Sequence, residues 1–291
     1  GATRNWLLLV KIPVALVGLP PTAAEFAMLE TKSLDELISH YFAQPAFRDF
    51  YYHRMRIRLE SDGTQEADEP ARLWTWLLLE DQPFQNLLVA DYTVDPAWKK
   101  AARATEHGRT GVLTMKGYIK NKPGLPHYNY SARVLTDFMG YVFEVPPEVF
   151  NMRDVATASS TVDPKSACFS CHQLLTPLAH QRLKWDDDGS YRSVDESGKP
   201  IDDSDRNMVE AYPYKGAGVE SFSVKAARKE RFVRHIVNSQ FLLFFGRAMR
   251  HEEDERALYQ QVWEVTQSSG GRLKDVVRTI LLSDVYQRRG S

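Results

Sequence analysis

The chain contains only two cysteines, three residues apart and followed at once by a histidine: Cys168-Phe169-Ser170-Cys171-His172. On a helical turn, residues i, i+3 and i+4 share a face, so this spacing presents two thiols and an imidazole together. The string is the attachment signature for c-type haem. Both thiols would become thioethers on the porphyrin's vinyl edge, and His172 would give the iron one axial ligand. That chemistry consumes both cysteines and accounts for the lack of others.

Three rival chemistries use the same residues. A structural zinc site needs further ligands; there is no second cysteine pair, and His172 with His180 would have to complete the set. A redox-active dithiol belongs after a strand in a βαβ pattern, which the sequence lacks. The third rival is a chance pairing of two inert, buried thiols. Haem c, one per chain and covalently attached, explains every residue of the string and is the favoured cofactor.

The iron's other face decides its use. A Met or His there closes the metal for electron transfer, whereas an open position admits peroxide or small gases. Met208, in a polar loop, is the first candidate and joins His172 as the expected metal ligand pair. Met249, Met115 and His127 are alternatives, as is no ligand at all. His180 lies two helical turns along from His172 on the same face, so it cannot reach the opposite side of a porphyrin. Arg133, Trp185 and Arg192 are candidate cofactor-binding residues, because partly buried haem propionates need hydrogen-bond donors. The Asp186-Asp187-Asp188 run suits a solvated turn better than calcium, since Gly189 is out of register with an EF-hand loop. No residue is assigned a catalytic role, because no Ser-His-Asp, paired-carboxylate or phosphate-loop constellation stands out.

Composition limits the classes of partner. Lys and Arg number 37 against 38 Asp and Glu, a net charge of -1, so no general attraction draws the chain to nucleic acid or anionic lipid. With 43% hydrophobic and 11% aromatic residues, the chain is globular rather than disordered, collagenous or coiled-coil. Its 291 residues and 33.3 kDa lie near the size at which one core splits into two. The first apolar run, Trp6 to Leu19, is interrupted by Lys11 and Pro13 and falls short of the roughly 18 residues a membrane span needs. It reads as a buried strand or helix ending at Gly18-Leu19-Pro20-Pro21, ahead of a retained signal peptide with Arg4 as its basic start. A start at Gly1 without Met suggests a processed or trimmed product, and no transmembrane segment is expected elsewhere.

The elements that must carry these residues are mostly helical. Ser33 and Glu36 have the spacing of a capping box ahead of Leu34, Leu37, Ile38, Tyr41 and Phe42. A second helix opens at Pro45, turning Phe47, Phe50, Tyr51 and Met55 inward and leaving Arg54, Arg56 and Arg58 to solvent. Residues 61–70 suit a loop, and 71–92 two short helices broken at Gln82-Pro83. Residues 103–130 look irregular, and a helix from Ser131 to about Phe143 would bury Val134, Leu135, Phe138 and Val142. Asp188-Gly189 and Ser197-Gly198 predict a short hairpin or ordered loop within 186–215. Three helices close the chain: Val224 to about Phe245, Glu252 to Gln267, and Leu273 to about Tyr286. The fold class is therefore mainly α, an irregular multi-helix array around a cytochrome-c-like haem segment. Its expected organisation is an N-terminal helical lobe (1–100), an irregular segment with a core helix (101–155), the haem segment (156–220) and a C-terminal three-helix module (221–291).

The sequence also resembles a family. Cys168-Phe169-Ser170-Cys171-His172 through Pro177, then Trp185 to Arg192 and Gly198-Lys199-Pro200-Ile201-Asp202, is similar to the haem segment of planctomycete-type cytochrome c proteins. Gly18-Leu19-Pro20-Pro21-Thr22, Arg109 to Thr114, and Phe232 to Arg247 resemble that family's flanking helical modules. Thr176 stands where the family often has Asp. The resemblance implies an exported protein, periplasmic or extracellular in a bacterium, carrying one covalent haem. The resemblance implies the cofactor and leaves the reaction undefined; the haem's own chemistry makes one-electron transfer with a redox partner protein the expected work. A peroxidase-type haem enzyme, or a haem-bearing subunit assembled with other exported proteins, are the alternatives; nucleic acid is not an expected partner.

Overall fold

The structure, a computed structural model, describes residues 6–120, 126–143, 163–166, 168–205, 208–250 and 253–288. Among these the chain is mainly helical, with one two-stranded antiparallel sheet. The helices up to the sheet are α1 (Trp6–Val17), α2 (Ala23–Thr31), α3 (Leu34–Phe42), α4 (Pro45–Arg58), α5 (Glu69–Leu79) and α6 (Asn86–Val89). The hairpin of β1 (Tyr92–Val94) and β2 (Lys100–Ala102) follows, then 3-10 turns at Thr105–His107 and Gly111–Thr114. Next come α7 (Lys116–Ile119), α8 (Pro126–Met139), α9 (Phe169–Gln181), α10 (Gly218–Ala226), α11 (Glu230–Phe245), α12 (Glu253–Ser268), α13 (Leu273–Leu282) and α14 (Asp284–Arg288).

Two compact units arise, each from separated stretches: 1–60, 71–86 and 234–291 form the first, 61–70 and 87–233 the second. In the first, the opening apolar run is a helix; Ile12, Leu16 and Val17 are buried. It stops at Gly18 (φ 74°), where a Cβ would stand 2.6 Å from the Phe50 ring. The expected capping box forms: Ser33 Oγ accepts from the Glu36 N–H at 3.2 Å, and the Glu36 carboxylate accepts from the Ser33 N–H at 2.7 Å. Thr22 and Glu25 make a second box at the head of α2.

The arginines of α4 depart from expectation. Arg54 donates to the Leu243 carbonyl at 2.6 Å, and the Arg58 guanidinium lies 5.2 Å from the Trp74 ring centre. Their aliphatic stems cover apolar surface while the charged ends find partners. On α13, Leu273, Val276, Val277, Ile280 and Leu281 are all buried, as the stripe predicts. The helix expected to reach Tyr286 is interrupted at Ser283, whose hydroxyl accepts from the Tyr286 N–H at 3.1 Å and so starts α14 afresh.

The second unit holds the Cys168-Phe169-Ser170-Cys171-His172 string. Here α8 begins earlier than the periodicity suggests and ends at Met139, leaving Val142 79% exposed instead of buried. Gly140 takes φ 63°, and Arg231 donates to the Met139 and Gly140 carbonyls at 2.7 and 3.2 Å. A cation on the last carbonyls is a favourable helix ending. The stretch expected as one helix from Val224 is broken at 227–229 between α10 and α11. The β1–β2 hairpin was not foreseen from the sequence. Asp188-Gly189 and Ser197-Gly198 do form tight turns, closed by the Trp185–Tyr191 and Val194–Pro200 bridges. No helix among the described residues is long and apolar enough to cross a membrane.

Candidate functional site

The Cys168-Phe169-Ser170-Cys171-His172 string occupies the first turn of α9, which packs against α8 and α10. Cys168 stands at the N-cap with helical backbone angles (φ -66°, ψ -29°), and the His172 N–H donates to its carbonyl at 3.1 Å. That bond closes the i to i+4 turn and places Cys168, Cys171 and His172 at helical spacing. Both thiols are free and half-exposed. Further along, Leu175, Pro177, Leu178 and Ala179 are buried and anchor the helix. Pro177 has no N–H to give the Gln173 carbonyl, so the helix loses one internal bond there.

His172 is half-buried, and burial lowers its pKa below the ordinary histidine value, favouring the neutral ring. Its Nδ1 lies 3.2 Å from the Thr176 hydroxyl, and the Tyr128 ring from α8 meets it edge-on at 4.7 Å. A hydroxyl can accept a hydrogen bond, so an Nδ1–H donating to Thr176 leaves the Nε2 lone pair free. This is the tautomer that ligates a metal, and an outer hydrogen bond of this kind orients the ring. Tyr128 is a contributor that the sequence did not point to, and Thr176 is one to which the sequence assigned no role. Thr176 was within reach of it, because i and i+4 are neighbours on a helix; Tyr128 carried no such signal.

His127, also on α8, is differently placed. Its Nδ1 is 3.2 Å from Arg182 Nη1, and a guanidinium only donates. Neutral His127 therefore carries its proton on Nε2, which has no lone pair to offer while that bond stands. Burial and then the Arg182 charge lower its pKa. Arg182 itself is fully buried, 5.0 Å from the Tyr130 ring centre and 3.0 Å from Asp187.

The other expected site residues are dispersed. Met115 is 1% exposed at the N-cap of α7. Met208 is half-buried in a loop, its N–H bonded to the Asp205 carbonyl at 3.0 Å. Met249 belongs to the first unit, whereas the motif belongs to the second. Arg133 is buried, 3.2 Å from Asp137 and 4.5 Å from the Tyr118 ring centre. Trp185 packs between His107 (4.8 Å) and Tyr191 (5.2 Å), and Arg192 pairs with Asp186 at 2.9 Å. Trp185 and Arg192 lie past the C-terminal end of α9, whose first turn carries His172.

Among the described residues, no group of three or more His, Cys, Asp and Glu side chains converges as a metal cage. A haem iron takes its equatorial ligands from the porphyrin and needs no such group. Two accessible thiols and an oriented imidazole on one turn fit covalent haem by the chemistry of the donor set. No protein-family model matches the chain, and neither a curated protein nor a solved structure is significantly similar to it.

Proposed function

We propose that the chain is an exported c-type cytochrome, similar to the planctomycete-type proteins, that carries one haem c and performs one-electron transfer. The observation supporting this reading most directly is His172 with Nδ1 engaged by Thr176 beside two free thiols on one turn. Cys168 and Cys171 would hold the haem as thioethers, each thiol adding across one vinyl group so that its sulfur and its hydrogen are both retained. His172 would then hold the iron through Nε2 while Thr176 and Tyr128 fix its ring. The bound haem would supply an iron that cycles between ferric and ferrous states.

Ser170, between the cysteines, is exposed, so this end of α9 offers a redox partner protein an edge to approach. Covalent attachment implies maturation outside the cytoplasm, in the periplasm or beyond it. Arg133, Trp185 and Arg192 already have internal partners, and the proposal assigns them no contact with haem.

Expression in a bacterium able to mature c-type cytochromes tests the reading. The intact mass should exceed that of the bare chain by one haem and survive acid–acetone extraction. Low-spin absorption bands insensitive to cyanide and carbon monoxide are expected, since electron transfer needs both axial positions filled. A colourless product at the bare-chain mass overturns the cofactor; a high-spin ferric spectrum that shifts with peroxide replaces electron transfer by peroxidase-type chemistry.

A further inference from the structure

The second unit also holds a cavity of about 210 Å³ that the electron-transfer reading leaves unused. Its walls come from the first 3-10 turn, the turn after α9 and the start of α10. Glu106, Asp203 and Glu220 bring carboxylates to it; Lys184 and His107 bring nitrogen; Trp185 and Tyr191 bring rings. We propose that this cavity binds a neutral sugar ring.

The protonation of His107 is fixed by its neighbours. Its Nδ1 lies 2.8 Å from Arg103 Nη2 and 3.0 Å from the Thr114 hydroxyl. Because the guanidinium only donates, Nδ1 accepts and the ring's proton sits on Nε2. Burial first, and the Arg103 charge second, push its pKa down to about 4, so at neutral pH it is an uncharged N–H donor. Lys184 Nζ is 3.0 Å from Asp203, which neutralises that pair in place while leaving ammonium protons to donate. In the first turn of α10 the Gly218 N–H is taken by the Asp203 carbonyl at 3.1 Å, and no side chain caps the N–H groups that follow it. Glu220 is seated against Gly108, where a Cβ would lie only 2.6 Å from Oε2; glycine there makes room for the carboxylate.

Charge selects the class of ligand. With Asp203 and Lys184 paired, the carboxylates of Glu106 and Glu220 oppose an anion, while Arg103 behind His107 and the positive end of α10 oppose an ammonium group. What remains is a neutral molecule able both to donate and to accept. A sugar ring does this at each hydroxyl, and its C–H faces suit the Tyr191 ring, which is 39% exposed. The volume suits one such ring.

The test uses the full chain and follows tryptophan fluorescence and calorimetry during titration with methyl glycosides of glucose, galactose and mannose. Choline chloride and sodium sulfate serve as the charged alternatives. At least one glycoside should bind saturably, with affinity unchanged by added salt because the ligand carries no charge. Glu220→Gln and, independently, Glu106→Gln should each weaken it about tenfold, the scale of a hydrogen bond to a charged group. Both side chains are exposed, so the variants should fold. Saturable binding of choline or sulfate with no glycoside response, no binding by any probe, or glycoside binding unaffected in both variants overturns the proposal.

Discussion

His172, on the first turn of α9, and His107, in the cavity beside the turn that follows α9, share one property and differ in another. Both are half-buried, and burial is the leading cause lowering the pKa of each. Both have Nδ1 engaged, but His172 meets a hydroxyl and His107 meets a guanidinium. Burial sets whether an imidazole is charged; the chemistry of its partner sets which nitrogen keeps the lone pair. The threonine leaves His172 able to ligate, and the arginine makes His107 a donor. His127 beside Arg182 follows His107.

The largest expected effect separates the two regions completely. Replacing Cys168 and Cys171 together by Ala should abolish covalent haem, seen as the bare-chain mass, while leaving glycoside binding at the His107 cavity intact. Loss of both would break the comparison, since it would mean that one region cannot form without the other. Next in size is Leu178→Ala. Leu178 is fully buried on the helix that joins the two regions, and such truncations cost about 2–5 kcal/mol. Urea denaturation should show that loss, and a cost near zero would mean α9 is not held by packing here.

A subtler test follows from acid titration. The folded-state pKa of His107 is depressed to about 4 from 6.5, so below the higher value the unfolded chain binds more protons. The stability contributed by its neutral form is complete above pH 6.5, falls as the pH drops, and is exhausted below about 4. Urea midpoints at several pH values should fall more steeply with acid for the native chain than for His107→Gln. Parallel curves would remove His107 from the neutral class. The smallest effect belongs to Thr176→Val, which should change stability by about 1 kcal/mol or less, the scale of one hydrogen bond. Nitrogen-15 spectra of the haem-free protein should then show the Nδ1–H tautomer of His172 losing population, with His107 and His127 unmoved.

Much of the secondary structure was legible because its signals are local. The Ser33–Glu36 box, Pro45 at the head of α4 and the buried stripe of α13 each depend on residues within a turn or two of one another. Boundaries failed where a distant group decided them. Val142 continues the apolar pattern of α8, yet the helix stops before it, with Arg231 reaching the Met139 and Gly140 carbonyls from ninety-odd positions away. Arg54 and Arg58 look like solvent-facing charges until Leu243 and Trp74 are placed beside them. In the site, the one-turn arrangement of Cys168, Cys171 and His172 was readable, whereas Tyr128 against His172 and Arg182 against His127 were not.

By itself the sequence determined that two thiols and an imidazole share a helical turn and that the chain is mainly helical, because both follow from spacing along the backbone. Tertiary structure alone decided that residues 1–60 share a unit with 234–291. It also decided that Arg103, Lys184 and Glu220 gather about one cavity-lining histidine. The physical reason is that burial of apolar surface is non-directional: an amphipathic stripe fixes which face turns inward and says nothing about which distant segment will cover it.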